Sequence, residues 1–543
     1  MESNFIKTFI EEDLKNNKYK EIVTRFPPEP NGFLHIGHAR AIITNFELAA
    51  DFNGYTNLRY DDTNPSKEDL VYVEAIKNDI KWLGYEPKNV YFASDYFNEM
   101  YERAVLLIKK GKAYVDSQTA EEISASRGNL TTVGTNSIYR ERSKEENLKL
   151  FEIMKNGLCD EKTYVLRAKI DMSSPNMNLR DPVIYRIVKE SHHRTKDAWV
   201  IYPMYDFAHP IEDAIEGISH SLCSLEFEDH RPLYDWVIRE CEMPNTPRQI
   251  EFGRLSIENT IMSKRYLREL VESKKVSGWD DPRMPTLSGL RRRGFTPTSI
   301  KNFILSVGLS KINSTMSLEM LESALREDLV LKTKRVMAVV NPLKVTITNY
   351  TKKTLEKYEV PYNADNLELG TKKISFGKEL YIEKEDFSII KTDNKFKRLY
   401  LGGEVRLLGI GYFIKCNEVV YNSENEIVEL LCTYDKNTKS GSNFSQRKPN
   451  GTISYVCKSD SANASFYMYE SLIDNDIQSD NILDKFNENS CVVKEGYVEK
   501  NVSKSKEEDK YQIIRNGYYV VDKNSTKDNL IFNKIVSLKS SYK

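Results

Sequence analysis

Residues 22–54 read I-V-T-R-F-P-P-E-P-N-G-F-L-H-I-G-H-A-R-A-I-I-T-N-F-E-L-A-A-D-F-N-G. Ile22 to Phe26 is a β-branched and apolar run, the pattern of a buried strand. Pro27, Pro28 and Pro30 exclude both helix and sheet interior, so a rigid turn follows. From Ile36 onward Ile42, Phe46 and Ala49 recur at helical spacing, and Gly54 closes the helix. His35 and His38 therefore fall in the first turn of a helix fed by a strand. Unpaired N–H groups and the positive end of the helix dipole attract phosphate there. Three residues apart, the two imidazoles share a face, and Gly37 lets a ligand approach the backbone. Two surface histidines at a helix start is the plainer reading. With 7 His in the chain, an H-x-G-H match arises by chance in roughly 0.4% of chains of this composition.

The next segments extend the pattern. Asn57 to Tyr60 reads as a second strand, followed by Asp61-Asp62-Thr63-Asn64-Pro65. Asn64 is expected to cap a helix with Pro65 at its first position, and Leu70, Val73, Ile76, Ile80 and Leu83 keep helical spacing up to Gly84. Strand–helix–strand–helix is the signature of a doubly wound parallel sheet, with ligands beyond the carboxyl ends of the strands. Asp61 and Asp62 stand at such an end; simple charge at a helix start is the alternative. At 543 residues the chain is too long for one core. Net charge is -1, so any nucleic-acid surface has to be local. No apolar run reaches the ~18 residues of a membrane helix, and the acidic start lacks a signal-peptide core, so a cytoplasmic protein is expected. The 7 Cys are scattered without C-x-x-C, which suggests neither a disulfide frame nor a zinc site.

The P-P-E-P-N-G-F-L-H-I-G-H-A stretch resembles the nucleotide-binding signature of class I aminoacyl-tRNA synthetases, in the form of their glutaminyl branch. Ile261-Met262-Ser263-Lys264-Arg265 resembles the second signature of that class, a mobile loop whose lysine meets the triphosphate as negative charge builds. The resemblance implies a fold of several parts: a Rossmann-type doubly wound sheet in two halves (1–95 and 200–258), an inserted acceptor-end-binding domain (96–199), a helical subdomain (259–333), and two anticodon-binding β-barrels (334–543). Residues 5–20 read as a polar helix, 198–208 as the return to the sheet, 311–317 as a loop, and 471–490 and 500–510 as exposed polar loops. From residue 334 short alternating segments punctuated by Asn, Asp, Gly and Ser independently suggest all-β structure.

The same resemblance implies the site. His35, His38 and Lys264 would stabilise the reacting phosphates. ATP contacts would come from Glu29, Pro30, Asn31, His35, Ile36, Gly37, His38, Ala39, Arg40, Ala41, Ser224, Arg254, Leu255, Met262, Ser263 and Lys264. Asp61 would hold the α-ammonium of glutamine, with Arg25, Tyr205, His209 and Cys223 around the rest of it; an inert buried Cys223 is the plainer reading. Tyrosine hydroxyl chemistry suits an amide, because a carboxylate has no N–H to donate. Arg335, Lys397, Arg398, Arg406, Gln512 and Arg515 would face the anticodon loop. Lys395 and Leu408 depart from the family at two further positions there. ATP with Mg²⁺, L-glutamine and tRNA(Gln) are the implied partners, and a monomer is expected. A glutamyl-tRNA synthetase of the eukaryotic or archaeal type, a small nucleotidylyltransferase and a silent tRNA-binding module remain as alternatives.

Overall fold

The computed structural model describes residues 3–66, 68–391, 393 and 395–539. The chain forms two compact units, Met1–Ile257 with Ile304–Met316, and Glu258–Phe303 with Ser317–Lys543.

In the first unit, helix α1 (Phe5–Lys15) starts where Asn4 accepts from the N–H groups of Ile6 and Lys7. It ends before residue 20, because Asn17 turns into positive φ. Strand β1 (Val23–Phe26) is buried throughout and leads to α2 (Ile36–Asp51). Strand β2 (Tyr55–Tyr60) returns parallel to β1, and β3 (Val90–Phe92) lies parallel on its other side. Gly54 makes this return possible: a Cβ there would sit 1.9 Å from the Ile22 carbonyl oxygen.

Helix α3 (Leu70–Trp82) begins later than the sequence suggested. Asp69, not Asn64, is its cap, accepting from Val71 N–H at 2.9 Å. The side chain of Glu68 instead takes the N–H of Asn64, and Asp69 N–H donates to Pro30 O at 3.2 Å. Asp61 and Asp69 are thus both tied to the proline-rich turn, and Asp69 also caps α3.

An antiparallel layer follows, built from β4 (Ala113–Asp116), β5 (Val165–Ala168), β6 (Val183–Ile187) and β7 (Ile201–Pro203) in that order. Helices α4 (Phe97–Lys109), α5 (Ala120–Arg127) and α6 (Lys144–Lys155) are connected to it. Phe97, Phe151, Tyr185, Tyr202 and Phe207 form the centre of its core. Here the reading of 198–208 is corrected: β7 is the edge strand of this antiparallel layer, paired to β6. Tyr205 then opens a helix, α7 (Tyr205–Ile215). The apolar content that suggested a parallel strand is shared between these two elements. Strand β8 (His220–Ser224) comes beside β1, where Ser219 N–H donates to Val23 O at 2.9 Å, without extending the β1–β2–β3 ladder. After α8 (Arg231–Glu240), β9 (Arg248–Phe252) pairs parallel with β8. Strand β10 (Leu255–Ile257) pairs with β11 (Ser314–Met316), so residues 311–317 are partly strand rather than loop. A Cβ on Gly253 would lie 1.9 Å from Ile312 O, which explains the glycine at this crossing.

In the second unit, α9 (Lys264–Glu272), α10 (Leu287–Arg293) and α12 (Leu318–Leu329) are helical; α11 (Pro297–Val307) precedes the last and begins in this unit but ends in the first. Two seven-stranded mixed sheets then form the barrel-like domains. The chain contributes Lys334–Val336 and Ala338–Val339 to one sheet, builds the other, and returns through Ser461–Tyr469 and later strands to complete the first. The segment 471–490 departs from the exposed-loop expectation. Its Leu472 and Ile482 are buried against Ile261, Leu267, Leu270 and Met284. Two apolar residues in a polar run are enough to anchor it, because most of its other side chains remain in water.

Candidate active site

The amino end of α2 lies beyond the carboxyl end of β1. His35 is its N-cap: its Nδ1 accepts from Gly37 N–H at 3.1 Å, and His38 Nδ1 accepts from His35 N–H at 3.1 Å. This is a reciprocal capping box made by two imidazoles. Their ring centroids are 3.9 Å apart. An Nδ1 that accepts cannot carry a proton, so in each ring the proton resides on Nε2. The cap uses the N–H groups of His35 and Gly37, and those of His38 and Ala39 go to His35 O, so what this helix end presents to an anion is its positive dipole and the two imidazole rings.

The proline-rich turn and the D-D-T-N-P segment are stitched together beside it. Asp61 N–H donates to Pro28 O at 3.0 Å. Glu29, Pro30 and Asn31 lie in that turn and Ile36 to Ala41 on the first turns of α2. Arg40 extends to Gly308 O at 2.9 Å. Burial raises the Asp61 carboxyl to about 6, against the Thr63 hydroxyl that donates to it at 2.9 Å, and Glu29 adds to the rise.

Arg25, at the end of β1, is completely buried. Its Nε donates to Asp213 at 2.9 Å and its Nη1 to Leu222 O at 2.8 Å; Nη2 reaches His209 Nε2 at 3.0 Å and Cys223 Sγ at 3.6 Å. Arg59 is buried next to it, within 3.0 Å of carboxylate oxygens of Glu212, Asp213 and Glu216. Burial lowers the His209 imidazole to about 3, so it is neutral. Burial raises Asp213, but the Arg25 and Arg59 guanidiniums more than reverse this and hold it ionised. The Cys223 thiol is raised by burial and stays protonated. Tyr205 stacks on His209, with centroids 4.9 Å apart, and packs against Phe227 at 5.1 Å. The sequence brought Arg25, Tyr205, His209 and Cys223 to notice. Arg59, Glu212, Asp213 and Glu216 were not found: buried charges in a strand and a helix look like surface charges until their partners, more than 150 residues away, are known.

Ser224 ends β8 and donates to Glu226 at 2.8 Å, while Arg254 pairs with the same Glu226 and its N–H donates to Asn313 at 2.8 Å. Leu255 is buried on β10. Met262, Ser263 and Lys264 belong to the second unit, where Ser263 stands at the cap position of α9 and Lys264 opens it.

The anticodon candidates also lie in the second unit. Lys395, Lys397, Arg398 and Arg515 line one cavity of about 350 Å³ with Asp393, Phe396 and Thr452. Arg406 is the register partner of Thr452 on the neighbouring strand. Arg335 and Gln512 are register partners elsewhere in that unit, joined by a 2.9 Å hydrogen bond. Leu408 packs against the apolar core of one barrel.

Three family descriptions fit the chain. "tRNA synthetases class I (E and Q), catalytic domain" covers residues 21–331. The anti-codon binding domains of the same group cover 333–435 and 452–522. Among curated relatives, the glutamine–tRNA ligase of Clostridium perfringens is 56% identical, over 100% of this chain and 98% of its own. Those of Clostridium kluyveri and Clostridioides difficile are 54% and 53% identical at the same coverage.

Proposed function

This chain belongs to the class I tRNA synthetases of the E and Q type, and we propose that it joins L-glutamine to tRNA(Gln), consuming ATP and releasing AMP and pyrophosphate. The glutamine carboxylate attacks the α-phosphorus of ATP and expels pyrophosphate. A ribose hydroxyl of the terminal adenosine then attacks the adenylate carbonyl and expels AMP. No side-chain nucleophile takes part; orientation and charge stabilisation supply the rate. The observation that carries this reading is the imidazole-capped end of α2, where His35 and His38 close one reciprocal cap beside the Asp61 segment.

In this reading the triphosphate meets α2 from His35 to Ala41, with Glu29, Pro30, Asn31, Ser224, Arg254 and Leu255 around the nucleotide. Met262, Ser263 and Lys264, the second signature, are assigned the role of countercharge as negative charge builds on ATP. Asp61 takes the ammonium of glutamine, and Tyr205, above Arg25, His209 and Cys223, faces its amide. Mg²⁺ enters on the triphosphate and supplies countercharge there. The donor set fits that role: it is built for an anion and lacks a ring of carboxylates such as a protein-held cation requires. The antiparallel layer receives the acceptor end, and the basic cavity with Arg335, Arg406 and Gln512 receives the anticodon. Work as a monomer in the cytoplasm is part of the proposal; among the described residues no helix is long and apolar enough to cross a membrane. A glutamyl enzyme is not favoured, because the full-length relatives at 53–56% identity carry the glutamine name.

Glutamine-dependent ATP–pyrophosphate exchange in the presence of tRNA tests the reading. His38→Asn keeps an acceptor for His35 N–H and removes the Nε2 donor. Exchange should fall about 10²–10³-fold with the melting temperature unchanged. Undiminished exchange would rule out the imidazole role.

A further inference from the structure

The connection from β6 to β7 carries His192 and His193 back to the segment that follows β2. His192 Nε2 donates to the backbone oxygen of Asp62 at 2.8 Å, and His193 Nε2 lies 3.0 Å from Asp62 Oδ2. Asp62 also accepts from Ser94, N–H at 2.8 Å and hydroxyl at 2.7 Å. Arg194 donates to the same Ser94 hydroxyl and to Asp95, and covers the Phe92 ring at 3.9 Å. Glu68 stands at 3.5 Å from His192 Nε2 and 3.9 Å from His193 Nε2. Asp62, His192 and Glu68 are shut off from solvent.

Two imidazoles and two carboxylates at such spacings suggest a metal site, and Asp62, His192 and His193 alone are close enough to share an ion. The hydrogen bonds argue against it. His192 Nδ1 accepts from the N–H groups of both Arg194 and Thr195, at 3.2 and 3.1 Å. Burial disfavours a charged ring, yet Glu68 and Asp62 outweigh it and raise the His192 imidazole; two N–H groups aimed at Nδ1 nonetheless leave no place for a proton there. Its proton is therefore on Nε2, engaged with Asp62 O, and that nitrogen has no lone pair for a cation.

The cluster reads instead as a clamp. Asp61 carries one side-chain hydrogen bond of its own, from Thr63. Its neighbour Asp62 is held from the antiparallel layer and from Ser94 at once. We propose that His192 and His193 are positioning residues that fix Asp62, and through it set Asp61 at the height where it meets the ammonium of the amino acid. This rests on the reading of Asp61 given above. The inserted layer would thereby act on amino-acid affinity without touching the amino acid.

Steady-state aminoacylation by the full chain tests the clamp. His193→Ala removes a hydrogen bond to a charged group, and the KM for glutamine should rise about tenfold, with kcat and the KM values for ATP and tRNA within about twofold. His193→Gln, whose amide can donate where Nε2 does, should restore the KM to within about threefold. Ser94→Ala should give an intermediate rise without disturbing either ring. Equal losses in kcat and all three KM values, unrelieved in His193→Gln, would show a merely structural role and overturn the proposal. So would stoichiometric zinc in the purified protein by elemental analysis. Asp61→Asn separates the two levels. If it leaves the KM for glutamine unchanged, the reading of Asp61 fails. If it raises that KM while His193→Ala does not, the clamp alone fails.

Discussion

Two charged regions of this molecule use arginine in opposite ways. Beneath the proposed amino-acid site, Arg25 and Arg59 are fully buried and each is surrounded by fixed partners. In the cavity of the second unit, Arg398 donates to the Glu385 carbonyl and Arg515 to Asp386, and both also line open space. A buried guanidinium cannot reorient without stranding a carboxylate, so it defines a shape and selects a substrate by fit. A partly exposed one keeps N–H groups available for unstacked bases. The first region would decide which amino acid enters, the second which tRNA is read.

The largest effect should come from breaking the buried side. Arg25→Met leaves Asp213 buried without its principal partner, which should cost about 3–5 kcal/mol of stability, seen as a lowered melting temperature along with lost charging. A normal melting curve would mean the pair is dispensable. Next is Lys264→Ala in the second signature. Activation turnover should fall about 10²–10³-fold, with tRNA affinity nearly unchanged; equal loss of both would make the segment a structural one. Arg398→Ala, on the adaptable side, should cost about 1–3 kcal/mol of recognition, and an anticodon-swapped tRNA should lose its disadvantage. A swapped tRNA that stays as poor as before would remove Arg398 from anticodon reading.

Smaller effects sharpen the contrast. Burial raises the Asp61 carboxyl to about 6 in the free protein. The ammonium requires the ionised carboxylate, so affinity is full above that value and is lost as pH falls through it, about tenfold per unit. A pH profile of kcat/KM for glutamine should show this inflection, and Asp61→Asn should abolish it. Ser224→Thr, which keeps the hydroxyl that donates to Glu226, should change charging less than about twofold.

The parallel sheet and the phosphate-binding helix end were legible in residues 22–84 because local periodicity and a proline-rich turn specify them. The start of α3 was not, since Asn64-Pro65 is a sound local cap that lost to tertiary bonds from Glu68 and Asp69. Helix α6 was missed although Ser143 caps it, because its apolar positions are sparse. The long strands Phe413–Tyr421 and Ser461–Tyr469 went unread, their faces mixing polar and apolar residues as barrel walls do. Buried partners such as Asp213 for Arg25, or Asp62 for His193, are separated by well over 100 residues, and no local pattern announces them.

The most direct test is aminoacylation of total tRNA by the purified chain with each labelled amino acid in turn. Glutamine alone should become attached, in an ATP-dependent reaction that releases pyrophosphate. Attachment of glutamate in place of glutamine, or of neither, would contradict the account.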